Sequence, residues 1–453
     1  MIGSVPDEEF EHYFSRFRRD SVLLHRPYPP HTAPRTNSKF GGLPRLPAQL
    51  EWPRTPSGIP LHFLAQIDCA DIGFGTRLPE RGVLFFFGRD DEEQVWNQIR
   101  DETASPFDDS RVLHALDAFA ATPTREAPGD LRPIGGSYPG RAWREYLRDG
   151  EPGPNIHVEW PIEPVRMDSW PDALFPEAEK SLSPPPTFLA RLLRPHPTAQ
   201  TWQEVEARNQ RYAESLERHR AKAYAEATGE QPHVFEDDPN GESAAGRAIF
   251  AHAAEGPEAY PQHWIAIHYA ARALLHRPAG VLGAEPAVLA PLVSTAESWL
   301  RRSEEAGLDE PVSEEVRGEF RTWLTSLRRT AQETPLYFSA AKLVFQSMIA
   351  TIRAWAGDPV RSMRIPEWAY AAMRFRFDVH TPWGMQYAQM LGHAPSAQEP
   401  QAPDDPTICL LNLASEYGAG WMFGDVGNCT FWIEPTDLAR KDFDKAWGII
   451  EGH

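Results

Sequence analysis

The sequence predicts an α+β protein: a mainly antiparallel β core built from two related β units, with a large all-helical insertion between them. Three observations carry this. Short apolar strands of period 2 cluster near both ends of the chain, at 61–87 and 407–433. The spacing between a polar strand position and a turn glycine recurs, 16 positions from Gln66 to Gly82 and 15 from Asn412 to Gly427. Between these ends, residues 199–378 show helical periodicity with few β signals. The expected division is therefore 1–198 (a first helix and the first β unit), 199–378 (the helical insertion) and 379–453 (the second β unit with a closing helix).

Asp7 is placed to cap a first helix in which Phe10, Phe14 and Phe17 share a face that packs on the sheet, with Arg16, Arg18 and Arg19 near its end. From Ser38 the series Pro44, Pro47, Pro53, Pro56 and Pro60 removes N–H donors, fixes φ and forces an extended path. Leu61, Phe63, Ala65 and Ile67 then alternate with His62, Gln66 and Asp68, the pattern of a strand with one buried face, broken only by Leu64. Val83 to Phe87 is a continuous apolar run between glycines, as in a strand covered on both faces. Arg111–Leu116 is a further strand candidate. Residues 121–200 read as irregular, with Ile156–Trp160 as an edge strand. Thr201 and Glu204 form a capping box opening a helix that carries Tyr212 and Leu216, and more helices are expected near 258–276, 286–305, 313–330, 336–355 and after Pro366. Strands return at Thr407–Leu413 and Asn428–Ile433, joined by a turn over Trp421–Gly427, and a helix from about Thr436 closes the chain.

With 41% hydrophobic residues, 15 Trp and 23 Phe, the 453-residue chain has ample material for a core. Lys and Arg number 45 against 64 Asp and Glu, and the net charge of −19 opposes any broad approach to nucleic acid or anionic lipid. Three cysteines without CxxC spacing suit a reducing compartment, and the N-terminus lacks the basic and apolar regions of a signal peptide. No apolar run is long enough to span a membrane, so the expected location is cytoplasmic.

Aligned on the repeated spacing, Phe63, Ala65 and Ile67 fall on Cys409, Leu411 and Leu413, and Leu84 and Phe86 fall on Cys429 and Phe431. Ser38–Pro47, Trp52-Pro53, Phe63–Asp68 and Leu78–Phe87, followed far downstream by Met390-Leu-Gly-His393, Leu410–Leu413, Gly424–Gly427, Phe431–Ile433, Asp437-Leu438 and Asp442-Phe443, resemble the signatures of the YwqG-like family of uncharacterised bacterial proteins. The resemblance covers about a third of the chain. It implies a mainly β, antiparallel fold and no established activity, with relatives in toxin and immunity gene neighbourhoods. Asn412 and Ala414 depart from the family pattern, which favours Gln and an acidic residue there, and the helical block is longer than in compact members.

The spacings that metal, nucleotide or hydrolase chemistry requires are missing. The acidic runs Asp90–Glu93 and Asp404-Asp405 read as solvated loops, His157 and Glu159 or His263 and His268 lack companions, and Gly73-Phe-Gly75 lacks the third glycine of a dinucleotide site. No catalytic residue, cofactor or metal is assigned. Trp52, Gln66, Asp68, Trp421 and Asp425 are the candidate cleft or interface residues: as structural members they satisfy loop backbone groups, as functional ones they line a cleft between the β units. Two functions compete. One is a non-catalytic protein-binding module, an immunity protein covering a basic, toxin-like partner; the alternative is a small-ligand-binding protein or hydrolase using that cleft.

Overall fold

The computed structural model describes residues 8–30, 36–73, 75–90, 108–135, 153–173, 199–232, 250–255, 260–276, 286–333, 340–371, 380–381, 384–385, 387–396, 398, 400–415, 418–424 and 427–452. Asp7, most of the acidic stretch after Asp90, and Asp425 lie outside the described residues.

Two antiparallel sheets form the β core. The five-stranded sheet runs β5 (Ser110–Ala115), β4 (Val83–Gly88), β3 (His62–Asp68), β2 (Lys39–Phe40), β6 (Trp160–Pro161). The six-stranded sheet runs β13 (Trp447–Glu451), β12 (Asn428–Ile433), β11 (Ile408–Ala414), β10 (Gln389–Leu391), β1 (Arg19–His25), β7 (Glu163–Ser169). The segments expected as one core thus make two sheets packed together, and the six-stranded one draws strands from both 1–198 and 379–453. A two-stranded ribbon, β8 (His380–Thr381) with β9 (Gly384–Met385), stands apart from both.

The repeat is realised pair by pair. Ala65 pairs with Phe86 and Ile67 with Leu84 in one sheet, Leu411 with Phe431 and Leu413 with Cys429 in the other. Gln66 faces Lys39 on β2, and Asn412 faces Gln389 on β10. Even the irregularity is duplicated, for the register slips between Phe63 and Ala65 and again between Cys409 and Leu411. Each slip is a bulge. It sends Leu64 into the central core, while Phe63, expected on the same face as Ala65 and Ile67, turns to the cluster of Leu61, Phe85 and Phe87 on the opposite face. β4 is covered on both faces, as its unbroken apolar run predicts, and Val83 to Phe87 are all fully buried.

At the end of each short strand the chain turns sharply through two successive residues of positive φ. In the first unit these are Gly41 (52°) and Gly42 (65°); in the second, Leu391 (61°) and Gly392 (68°). A tether recurs as well: Lys39 Nζ donates to the Leu43 carbonyl at 2.9 Å and Gln389 Nε2 to the His393 carbonyl at 2.6 Å. The left-handed region disfavours any side chain and is unusual for a bulky one. At Gly41 a Cβ would collide with the Val158 carbonyl, so glycine is required there.

Helices cover the outer face of the six-stranded sheet and extend the central core, while loop residues such as Leu46 and Trp52 cover the outer face of the five-stranded sheet. Phe10 and Phe14 of the first helix (Glu8–Phe17) bury with Leu23, Met167 and the Tyr212 and Leu216 of helix Ala199–Thr228, sheathing the outer face of the six-stranded sheet. That long helix is already formed at Ala199, so Thr201 is inside it rather than its cap. Helices Trp264–Leu275, Pro286–Ala306, Glu314–Glu333 and Ala340–Trp355 match the expected series and join the same central core as the sheets. Seven strands escaped the pattern: the short β2, β8, β9 and β10, and three longer ones, for Arg19 opens β1 instead of ending a helix, β7 lies in the stretch read as irregular, and the expected closing helix is only Pro435–Arg440, followed by β13.

His393 locks the first helix to the β10 turn by donating from Nε2 to the Phe17 carbonyl at 2.8 Å. Burial, reinforced by Arg19, holds its pKa down at about 4. An unfolded histidine titrates near 6.5, so stability is full above that pH and falls as pH drops from about 6.5 to about 4, by up to about 3 kcal/mol. Urea unfolding at pH 7 and pH 4.5 measures this, and His393→Gln is expected to flatten the difference. At the sheet interface, Phe86→Ala and Phe431→Ala should each cost about 3–5 kcal/mol, and the double variant should show coupling of about 1 kcal/mol.

Candidate functional site

Gln66 is fully buried on β3, where its carbonyl oxygen accepts the Arg45 N–H (3.0 Å) and its amide donates to the Asn37 carbonyl (2.6 Å) and Asn37 Oδ1 (3.1 Å). Trp52 lies on that same outer face against Phe87, its ring 5.4 Å away, and donates from Nε1 to the Leu61 carbonyl at 2.8 Å. Asp68 caps the helical turn Cys69–Ile72, accepting from the Ala70 N–H (3.0 Å) and Asn37 Nδ2 (3.3 Å). Trp421 is buried between the sheets, against Phe40 at 4.8 Å and Phe423 at 5.8 Å.

These residues therefore do not line one cleft. Trp52 and Gln66 belong to the outer face of the five-stranded sheet and Trp421 to the opposite, inner face. The physical reason is that Gln66 serves the Asn37–Arg45 loops, whose backbone groups have no ladder partner. His157 and Glu159, read as sharing a strand face, also part: the buried His157 ring meets Asp90 at 3.2 Å, and Glu159 pairs with Lys39 at 2.7 Å. Burial lowers the Lys39 pKa, with Glu159 opposing the fall. All three cysteines are buried free thiols, and burial pushes Cys69 up to about 12, far from a nucleophile's range.

A cavity of about 420 Å³ opens elsewhere, where the loop after Cys69–Ile72 meets β1, β7 and the β10 turn. The first unit contributes Gly75, Thr76 and Arg77; β7 contributes Arg166, directly opposite Val22 of β1; the second unit contributes Leu391, Gly392 and Ile408. Arg19 stands at the wall, donating from Nη2 to the Pro403 (2.8 Å) and Asp405 (3.0 Å) carbonyls. Burial lowers the Arg19 pKa, Asp405 opposes this and Arg77 adds to it, a sign that two cations share the space. Among the described residues neither Arg77 nor Arg166 has a hydrogen-bond or ion-pair partner, and Asp20 is the one carboxylate in the lining.

Sequence reasoning missed this set because its members are scattered from Arg19 to Pro435 in six separate segments. Two local signals bordered it: the Gly73-x-Gly75 turn that delivers Arg77, and the Met390-Leu-Gly-His segment that contains Leu391.

Fold and pocket together define a duplicated α+β protein with a cation-rich cavity where the loop after Cys69–Ile72 meets the six-stranded sheet. The chain belongs to the family described as a domain of unknown function (DUF1963), whose model matches residues 38–247 and 319–451, about three quarters of its length. The unmatched stretch between them holds helices Trp264–Leu275 and Pro286–Ala306. No curated protein matches the chain. Among the described residues no helix is long and apolar enough to cross a membrane.

Replacing Gln66 by Leu strands the Arg45 N–H and the Asn37 carbonyl and should cost about 1–3 kcal/mol, whereas Trp52→Phe, which loses one hydrogen bond, should cost about 1 kcal/mol. Denaturant midpoints give both values. Equal, negligible losses would remove the structural role argued for Gln66.

Proposed function

We propose that this protein binds a small anionic ligand in the cavity between its two β units. One observation carries the reading: Arg77 and Arg166, delivered by different segments, face the same cavity without a carboxylate partner among the described residues, in a chain whose net charge is −19. Cations in so acidic a protein are easily neutralised, and a guanidinium left open offers a planar fork that matches carboxylate or phosphate oxygens. The volume falls within the range of small-molecule sites. Among the described residues the lining holds no cysteine, histidine or lysine, which favours binding over turnover.

The reading as an immunity-like cover for a basic partner rests on the net charge of −19, the missing catalytic spacings and the surface of the helical insertion, and no single site carries it. The finer kinship with the YwqG-like family is part of the same proposal and is supported by its two end signatures.

Thermal unfolding against inorganic phosphate, sulfate and citrate tests the site. A ligand present at a hundred times its Kd should raise Tm by about 3 °C in a chain of this size. Arg77→Ala combined with Arg166→Ala should abolish the shift. If none of the three anions moves Tm, or the double variant responds as the wild type does, the pocket reading fails and the protein-partner reading gains.

A further inference from the structure

The geometry points to a ligand of defined class for this cavity: an oxyanion, carboxylate or phosphate, carrying an apolar body of several carbons that packs on Leu391. The inference rests on the anion-binding reading above and adds the part of the ligand that the arginines do not see.

The argument starts from the repeat. Leu391 is the counterpart of Gly41, and both have positive φ. At Gly41 the space a side chain would enter is filled by the Val158 carbonyl, so the first unit is sealed there. In the second unit the corresponding position borders the cavity, and it holds a leucine, buried in the central core on its other side, in a backbone conformation that disfavours leucine. Such positions persist where the surroundings hold them, and they cluster at ligand sites. Leu391 is joined in the lining by Val22 and Ile408, both largely buried, which gives the cavity an apolar floor beside its cationic wall, the half-buried Arg19 with the exposed Arg77 and Arg166. A bare inorganic anion would satisfy the wall and leave the floor in contact with water. An amphipathic anion matches both.

Isothermal titration with inorganic phosphate and with methyl, butyl and hexyl phosphate, repeated with acetate, butyrate and hexanoate, reads this directly. Affinity should rise about fourfold per methylene until the floor is covered. Leu391→Gly, which restores the residue found in the other unit, should flatten that dependence. Leu391→Asn, which also tolerates positive φ, provides the second variant and should behave alike. Phosphate binding that is independent of chain length overturns the amphipathic ligand and leaves the anion site standing. If no member of either series binds, including inorganic phosphate, the anion site itself falls. Anionic phosphatidylglycerol vesicles form the last arm: co-sedimentation without response to the soluble series would assign a lipid headgroup and overturn a soluble ligand.

Discussion

Phe86 and Phe431 meet edge to face, their ring centroids 5.3 Å apart, and they are the same residue of the two units. A residue that touches its own counterpart is the mark of an isologous contact, here formed within one chain. Most of the architecture depends on it. The duplicated bulges turn Leu64 with Ala65 and Leu410 with Leu411 so that the sheets can approach, and the outer strands follow, with the Gly448 N–H donating to Ser110 Oγ at 2.7 Å across the join. The two β10-side and β2-side turns are then carried to places where the units no longer mirror each other. One turn meets β6 and its preceding segment; the other meets β1 and leaves a cavity.

The repeat was legible because period-2 burial and turn length are local properties. Gln66 to Gly82 and Asn412 to Gly427 differ by one residue, and the structure places both polar residues in the same ladder position. The bulge was not legible: Leu64 looked like a lapse in alternation when it was the inserted residue. Trp447-Gly-Ile-Ile-Glu is short enough to suit strand or helix, and only pairing with β12 decides it. β1 and β7 have no neighbour in sequence to pair with, Val22 meeting Met390 and Arg166 at long range, so their strand character came from the tertiary fold. Of the candidate site, Gln66 and Asp68 were recognisable as polar anchors. The arginines of the cavity were not, since each is an ordinary surface cation until β1, β7 and the loop after Cys69–Ile72 bring them together.

Whole-chain charge and local charge point in opposite directions here. A surplus of acids sets the long-range field, which slows the approach of anions, yet a partly enclosed site is governed by the groups within a few ångströms. Arg19 illustrates how such a site is held rigid in an acidic protein: its guanidinium is spent on the Pro403 and Asp405 carbonyls, fixing the wall, while its charge still acts on the space it borders.

The strand order has a temporal side. The five-stranded sheet closes entirely within residues 39–161, so it can form while the rest of the chain is still being synthesised. β1 and β7 pair with each other early as well, but one edge of that ribbon stays open until Gln389–Leu391 emerges, and the sheet is finished only by Trp447–Glu451. During that interval the edge of β1 that later pairs with β10 has no ladder partner, and an unpaired edge of this kind invites association with other chains. The helices made in between are therefore more than an interruption between two β units: Ala199–Thr228, laid over the outer face of β1 and β7, shields half of an unfinished sheet while it waits for its last strands.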